Sequence, residues 1–340
     1  MAPKNYTVGT RGSALAMTQT KMAADQVAAA GGFELALVTV KTEGDVLTGP
    51  LSQMGGTGVF AATLRTRLLE GQVDLAVHSL KDLPSAPCSG LVIGATPQRE
   101  DARDALCARD GLTLASLPEG ARVGTGSPRR AAQLLAVRPD LTIVDIRGNV
   151  GTRLARVAGK EAYGVGGHGV HGEKKLGAIT GDCDAVVLAA SGLKRLGLEE
   201  TITDYLPVDV VVPAPGQGSL ALEVREEELS ENPSPLGQAL AAVDHRPTRL
   251  AVTAERALLR RLEAGCAAPI GAYAQLLGEE LTMSICVASP DGSQTLRHTV
   301  TSTDLSLEGA TALGIRAAEE LLDQGAAQLA GLADAFERNS

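Results

Sequence analysis

The sequence predicts an α/β protein with two similar lobes and a smaller α+β domain at its C-terminus. Over roughly the first two hundred residues, short Val- and Leu-rich strands alternate with amphipathic helices, a pattern typical of mainly parallel sheets covered by helices. The segments "VGTRGSALA" at 8–16 and "VGTGSPRRA" at 123–131 both run from a strand through Gly-Thr and Gly-Ser into a helix. This match indicates two related lobes. After Glu255 the pattern changes to a hairpin and a long Ala- and Leu-rich helix.

Local patterns place the individual elements in chain order. The first lobe is predicted to have strands at 6–10, 35–40 and 74–80, and helices at 14–32 and 60–71. The second is predicted to have strands at 121–126, 141–146 and 184–190, and helices at 128–138 and 149–159. In the third domain we predict a helix stopped by Gly265, a hairpin over 273–289 and a helix over 309–336 that breaks at Gly325.

These elements suggest three domains. The first takes 1–98 and 218–238, the second 99–217 and the third 239–340. The glycine-rich stretch at 163–177 has no helical or strand period, and we predict a surface insertion there. Its His168 and His171 have a metal-like spacing, but a solvated loop without further ligands is the better interpretation, so no metal is predicted.

Composition excludes several classes of protein. The 340 residues carry a net charge of −9, which argues against broad binding to nucleic acid or to anionic membranes. No run of about 18 apolar residues could span a membrane, and the N-terminus lacks the apolar core of a signal peptide. The five cysteines are scattered, which suits a reducing compartment. We therefore expect a cytoplasmic protein, and a monomer because no helix looks apolar all round.

Cationic residues cluster where the two Gly-Ser turns open helices. Free N–H groups and the helix dipole favour anions there, so nearby arginines need a compensating negative charge. Taken one at a time, the turns are explained by helix capping through Ser13 and Ser127 with solvated arginines. Taken together, they predict a cleft for a polyanion. The arginines concerned are Arg11, Arg129, Arg130, Arg147 and Arg153.

Two neighbouring motifs offer catalytic chemistry. "HSLKDLP" places His78, Lys81 and Asp82 at the end of a strand, and beside an anion cleft Asp82 is the natural general acid and base. Without the cleft, Lys81 and Asp82 would be an ordinary surface pair. "SQMGGTGVF" at 52–60 is either a glycine-hinged lid that lays Phe60 against a flat ligand or a plain loop with a core Phe.

Cys266 lies in "EAGCAAPIG", among the smallest side chains, where a helix is predicted to end. A thiol in that place is a small loop residue, a buried filler or a reactive group with space around its sulfur. A cysteine hydrolase would need a histidine partner, for which His78 and His245 are available. The residues alone leave these alternatives open.

Eight motifs in order resemble those of the porphobilinogen deaminase (hydroxymethylbilane synthase) family over nearly the whole chain. They are "GTRGS", "GDV", "VHSLKDLP", "VGTGSPRR", "DIRGNVGTRL", "SGLKRLG", "PAPGQG" and "LEAGCAAPIGAY". The resemblance implies two lobes like those of type II periplasmic binding proteins, with a third domain that carries the cysteine loop. It also implies a dipyrromethane cofactor held by Cys266 through a thioether. Four porphobilinogens would be added in turn with loss of ammonia, and water would release hydroxymethylbilane.

The resemblance also assigns roles to residues, with Asp82 as the carboxylate that stabilises cationic pyrroles and moves protons. The cofactor-binding positions are Ser79, Lys81, Thr125, Ser127, Arg129, Arg130 and Arg147. The substrate-binding positions are Arg11, Ser13, Gln19, Arg147, Arg153 and Arg195. The lid comprises Gln53, Gly55, Gly56, Thr57, Gly58 and Phe60, and it departs from the family by having Gln53 and Thr57 where lysines are usual. Competing classes are a binding module without a covalent adduct and a hydrolase or transferase that uses Cys266 transiently.

Overall fold

The computed structural model describes residues 5–40, 59–160, 163, 181–262 and 268–331. The strands are β1 (Tyr6–Arg11), β2 (Leu35–Val40), β3 (Leu75–Ser79), β4 (Leu91–Ala95), β5 (Asp104–Ala108), β6 (Arg122–Gly124), β7 (Thr142–Val144), β8 (Ala185–Ala189), β9 (Asp204–Leu206), β10 (Leu220–Arg225), β11 (Ile270–Leu277), β12 (Glu280–Ala288) and β13 (Thr295–Ser302). The helices are α1 (Ala14–Gly31), α2 (Val59–Leu69), α3 (Pro128–Val137), α4 (Val150–Leu154), α5 (Ala190–Arg195), α6 (Pro235–Val243), α7 (Arg246–Arg261), α8 (Leu307–Asp323) and α9 (Ala326–Leu329).

The first lobe is a five-stranded sheet in the order β2-β1-β3-β10-β4. β1 pairs in parallel with β2 and β3, whereas β10 is antiparallel to both of its neighbours. The core combines α1 and α6 with the sheet through Val27, Leu75, Leu222 and Leu240, all of them buried. The side chain of Ser13 caps α1, and Gly32 ends the helix in the left-handed conformation that a glycine adopts without strain.

The second lobe has the same strand order, β7-β6-β8-β5-β9. Each lobe has three parallel strands, and their order in the sheet, numbered along the chain within that lobe, is 2-1-3. The chain crosses from the first lobe to the second between β4 and β5 (the first crossover) and returns between β9 and β10 (the second crossover). The strand that follows each crossover, β5 or β10, lies next to the third parallel strand of the lobe that it joins. The predicted fold class is confirmed in its architecture, two α/β lobes of the same strand order and a smaller C-terminal α+β domain.

The third domain is the antiparallel sheet β11-β12-β13, packed against α7 and α8. Leu250, Leu258, Met283 and Leu313 are among the residues that form its core. The predicted hairpin and the break at Gly325, which has a φ of 86°, are both confirmed. Gly265, predicted to stop α7, lies outside the described residues.

Several elements differ from the sequence expectation. β4, β5, β9, β10 and β13 were not predicted, nor were α5 and α6. Apart from β13, these strands have three to six residues, which is too short for a readable period. The helix predicted at 149–159 is only the five-residue α4. The domain limits remain a prediction, and α6, which crosses the proposed limit at residue 238, packs on α1 of the first lobe. Among the described residues, no helix combines the length and apolarity needed to cross a membrane.

Candidate active site

The proposed acid Asp82 lies in a short 3-10 turn that follows β3. β3 ends at Ser79, so Asp82 does not close the strand, as the sequence suggested, but lies just beyond it. Leu80 and Leu83 are buried on either side, and the N–H of Leu80 donates to Ser219 O at 3.0 Å. The turn is therefore anchored while the side chain of Asp82 remains exposed.

A small cavity of about 40 Å³ opens beside this turn. Arg11, Gln19, Ser79 and Asp82 line it, so β1, α1 and the end of β3 all contribute. The hydroxyl of Ser79 donates to Gln19 Oε1 at 3.0 Å. Because parallel strands bring their carboxyl ends to one edge of a sheet, residues far apart in sequence converge there.

The Gly-Ser turns of the two lobes are built alike. Ser13 accepts from Ala16 N at 3.3 Å, and Ser127 accepts from Arg130 N at 3.5 Å, so both serines cap helices. In the second lobe Thr125 Oγ1 also accepts from Ser127 N at 3.2 Å. A Cβ on Gly126 would lie 2.6 Å from Ile146 O, so only glycine fits between these residues.

The paired arginines of the second turn are buried rather than solvated. Arg129 is 4% exposed and Arg130 5%, and both contact Asp104, which is 0% exposed. Arg129 Nη2 lies 2.8 Å from Asp104 Oδ2, and Arg130 Nη2 lies 2.7 Å from Oδ1. Burial alone would raise the pKa of Asp104, but the two guanidinium charges outweigh it and hold that pKa far below its usual range. One carboxylate thus faces two cations.

Gln217 connects this cluster to the first lobe. Its Nε2 donates to Asp104 Oδ1 at 2.8 Å, and its Oε1 accepts from Lys81 Nζ at 3.4 Å. Burial and the nearby charge of Arg130 lower the pKa of Lys81 to about 8, against the opposing effect of Asp82 and Asp104. Lys81 is therefore close enough to both the acid and the arginines to respond to their charges.

The remaining predicted arginines do not all lie together. Burial and the charge of Arg130 lower the pKa of Arg153, while Asp82 raises it, which places Arg153 in the same electrostatic cluster. Arg147 lies 3.5 Å from Asp145 and also influences Arg153. Arg195 instead donates to Gly218 O at 2.6 Å, so the structure joins it to the second crossover.

Some predicted site residues fall outside the described part of the chain. These are Cys266, the lid residues Gln53, Gly55, Gly56, Thr57 and Gly58, and His168 and His171 of the predicted insertion. Of Phe60 only the backbone, in α2, is described. Within the described ranges, no group of three or more His, Cys, Asp or Glu could hold a metal ion.

The candidate histidine partners of a cysteine hydrolase are engaged elsewhere. His78 Nε2 lies 3.2 Å from Glu223 Oε2 inside the first lobe. His245 caps the start of α7, where its Nδ1 lies 2.9 Å from Thr248 Oγ1. Neither histidine favours hydrolase chemistry.

A larger groove of about 730 Å³ lies between the first crossover and the sheet of the third domain. Four of its charged side chains pair with opposite charges, as in Arg103–Asp101 at 2.7 Å and Arg99–Glu255 at 2.6 Å. Arg297 instead donates to Val210 O. The described lining of this groove does not bring several cations around one exposed acid, as the residues near Asp82 do, so it is not the candidate active site despite its size.

Asparagine in place of Asp104 is expected to destabilise the second lobe by about 3–5 kcal/mol, because it leaves two buried guanidinium groups uncompensated. The measurement is the free energy of unfolding in urea. Asp140→Asn is the matched control, since its pair with Arg138 is partly solvated on the same lobe, and its loss should be much smaller. Equal losses in the two variants would contradict the prediction.

The pKa of Lys81 predicts how anion binding depends on pH. A bound carboxylate favours the charged amine, so the affinity of the ligand-free protein for a dicarboxylate such as succinate should fall as the pH rises above about 8. The decline should approach about tenfold per pH unit at most, since one proton is involved. Calorimetric titrations between pH 6.5 and 9.5 measure it. Lys81→Met should lack this step, and parallel slopes in the two proteins would rule out Lys81 as its source.

Sequence reasoning missed Asp104 and Gln217. The signal for Gln217 was present, because "PAPGQG" is one of the family motifs, but its two glycines drew attention to the backbone rather than to the side chain between them. Asp104 stands among several charged residues in "REDARDAL", and nothing in that run distinguishes the buried acid from its solvated neighbours.

The chain is thus a two-lobed α/β protein in which Lys81, Arg130 and Arg153 lie near the exposed Asp82. These cations are hydrogen-bond donors suited to ligands with several carboxylates. Residues 6–231 match the family model "Porphobilinogen deaminase, dipyromethane cofactor binding domain", and residues 249–323 match "Porphobilinogen deaminase, C-terminal domain". The chain belongs to the porphobilinogen deaminase family.

Named relatives are similar over almost their whole length. The chain is 52% identical to the porphobilinogen deaminase of Micrococcus luteus, with 97% of this chain and 96% of that protein covered. It is 54% identical to the porphobilinogen deaminase of Cutibacterium acnes, with 96% of each covered.

Among solved structures, the chain is similar to a periplasmic substrate-binding protein of an ABC transporter from Coxiella burnetii. The identity is 15%, the TM-score is 0.41, and 70% of this chain and 91% of that one are covered. The likeness to the methionine-binding protein MetQ has 13% identity and a TM-score of 0.37, with 69% and 89% covered. Similarity at this level supports no inference about a ligand.

Proposed function

We propose that this protein is a transferase of tetrapyrrole biosynthesis that condenses four porphobilinogens head to tail, with loss of ammonia, and releases hydroxymethylbilane. The observation that carries the proposal is the gathering of cations from both lobes, Lys81 from the first and Arg130 and Arg153 from the second, around the exposed Asp82. Porphobilinogen has an acetate and a propionate side chain, so a growing chain of pyrroles accumulates carboxylates that need such partners.

The residues present fit a dipyrromethane cofactor. Two guanidinium groups share the single carboxylate of Asp104, so the cluster retains positive charge that a ligand carboxylate can balance. Ser79, Lys81, Thr125, Ser127, Arg129, Arg130 and Arg147 would hold the cofactor carboxylates, and the thiolate of Cys266 would attach it. When bound, the cofactor supplies the primer to which pyrrole units are added.

The substrate would be held by the edge of the cleft that faces solvent. Arg11 and Gln19 line the small cavity next to Asp82. Arg153 is close enough to Asp82 for the carboxylate to raise the pKa of its guanidinium. We propose that these residues, with Ser13, Arg147 and Arg195, orient the carboxylates of incoming porphobilinogen. Guanidinium groups suit this task because they bind a carboxylate with two parallel hydrogen bonds.

Asp82 would move the protons of each addition. Its carboxylate is exposed at the cleft on an anchored turn, so it can stabilise the cation formed when ammonia leaves porphobilinogen and can then accept a proton. Lys81 beside it keeps a positive charge at neutral pH, because its pKa of about 8 lies above that pH. The lid, Gln53, Gly55, Gly56, Thr57, Gly58 and Phe60, would cover the substrate during the reaction.

The proposal includes the setting in which the protein works. We expect a cytoplasmic monomer that binds neither nucleic acid nor membranes. The net charge of −9 supports the absence of binding to nucleic acid and anionic membranes, because a polyanion cleft inside an acidic protein attracts its small ligand without favouring anionic polymers.

The test is to incubate the purified protein with porphobilinogen and to record both its intact mass after denaturation and the hydroxymethylbilane released. A stable adduct of two pyrrole units together with catalytic release of product is the expected result. An unmodified mass with bound porphobilinogen would identify a binding module, and an adduct that disappears on denaturation would refute the thioether.

A further inference from the structure

One face of α7 lies along the segment that follows the proposed acid. Val252, Arg256 and Arg260 are spaced four residues apart, which places them on the same side of the helix. Val252 packs in a small buried cluster with Leu80 and Leu83, the residues that flank Lys81 and Asp82. Val252, Arg256 and Arg260 form a stripe along α7, and its first residue, Val252, anchors the turn itself.

The two arginines continue the contact along the chain. Arg256 donates from Nη1 to Leu83 O at 2.9 Å and from Nη2 to Pro84 O at 2.6 Å. Arg260 donates from Nε and Nη2 to Ser85 O at 3.1 and 2.6 Å. Three consecutive carbonyl groups after Asp82 are thus held by one face of one helix.

These contacts are stronger than ordinary hydrogen bonds between neutral groups because the donors are charged. Burial and the neighbouring charge of Arg260 lower the pKa of Arg256 to about 10, so its guanidinium remains a cation at neutral pH. A rigid guanidinium that binds two adjacent carbonyls fixes both the position and the direction of the backbone between them.

The same helix leads toward the proposed attachment site. α7 ends at Arg261, and Cys266 follows five residues further along the chain. Asp82 belongs to the first lobe, whereas most buried residues of α7 pack in the core of the third domain, and Val252 joins the two through the small cluster with Leu80 and Leu83. We propose that Arg256 and Arg260 are positioning residues that hold the turn bearing Asp82 in register with the helix leading to Cys266.

This inference rests on the proposed roles of Asp82 and Cys266. The arginine contacts would affect the reaction rate through geometry, since a displacement of about 1 Å between reacting groups can reduce the rate roughly 100-fold. Loss of the arginine contacts should not detach the third domain. A separate buried pair, Arg99 with Glu255 at 2.6 Å, joins α7 to the first crossover.

The test compares Arg256→Met and Arg260→Met with Arg261→Met in the full-length protein. Methionine keeps the aliphatic stem and removes the donors. Arg261 is the matched control because it adjoins Arg260 but pairs with Glu319 of α8, inside the third domain, at 3.4 Å. Arg256→Lys, which keeps the charge and can still donate to a carbonyl, tests for rescue.

Two measurements are made on each variant. The first is hydrogen exchange of the backbone amides in 80–86, followed by mass spectrometry, which does not depend on activity. The second is steady-state kinetics with porphobilinogen. In Arg256→Met and Arg260→Met we expect exchange in this segment to rise at least about tenfold and kcat to fall about tenfold, with KM little changed. Arg261→Met should match the wild type, and Arg256→Lys should recover part of kcat.

Several outcomes would overturn the inference. Unchanged exchange in 80–86, an equal effect of Arg261→Met, or a rise in KM without a fall in kcat would each do so. If Arg256→Met does not fold, Arg260→Met, whose contact is at the exposed end of the stripe, decides the question alone. A wild-type protein that turns over no porphobilinogen would instead refute the proposed function, while the exchange measurement would still report whether the arginines hold the turn.

Discussion

Replacing Asp82 by asparagine should reduce turnover of porphobilinogen by about 10²–10⁴-fold while leaving the fold intact, because a positioned general acid and base contributes about that factor. The side chain is exposed on an anchored turn, so the amide fits without disturbing the buried Leu80 and Leu83. Asparagine keeps the size and removes the negative charge and the capacity to accept a proton. Single-turnover kinetics on cofactor-loaded protein measure the chemical step directly.

Controls separate this effect from a general loss of charge. Asp25→Asn removes a carboxylate from the exposed Lys21–Asp25 pair of α1 in the same lobe, and its rate should equal that of the wild type. Asp82→Glu should retain part of the activity with altered geometry. Circular dichroism confirms folding. A near-normal rate for Asp82→Asn would remove the residue from the mechanism and leave the lid or a bound water to move the proton.

Replacing Cys266 by serine should abolish formation of the normal covalent adduct. A hydroxyl is a far poorer nucleophile than a thiolate at neutral pH, so the protein should fold but carry no cofactor. Intact-mass analysis after denaturation distinguishes the two forms. Turnover should fall to background, because no primer is available for the first addition.

Cys88→Ser is the control, since Cys88 is a half-buried free thiol in the first lobe and its loss should leave the adduct in place. An adduct at wild-type level on Cys266→Ser would show that the cofactor is attached elsewhere. The described cysteines Cys107, Cys183 and Cys286 are poor alternatives, because burial raises the pKa of each thiol.

The sequence alone predicted much of this protein, for reasons that are local. Helices such as α1 and α3 were recognised from their apolar period and from the serines that cap them. The break between α8 and α9 follows from one glycine. The two Gly-Ser turns and their arginines predicted a cationic cleft, and "HSLKDLP" indicated Asp82 as its acid, because those residues occur in short stretches whose chemistry can be read without a structure.

Tertiary structure decided which charges meet. The sequence predicted a polyanionic ligand as the compensating charge for Arg129 and Arg130, whereas the structure supplies one from within the protein, Asp104. Asp104 reaches them because the chain crosses from the first lobe and adds β5 between β8 and β9 of the second sheet. Gln217 reaches the same acid from the second crossover for the same reason. Such contacts join residues far apart in the chain, and their energies come from burial and proximity, which neither helical period nor strand alternation encodes.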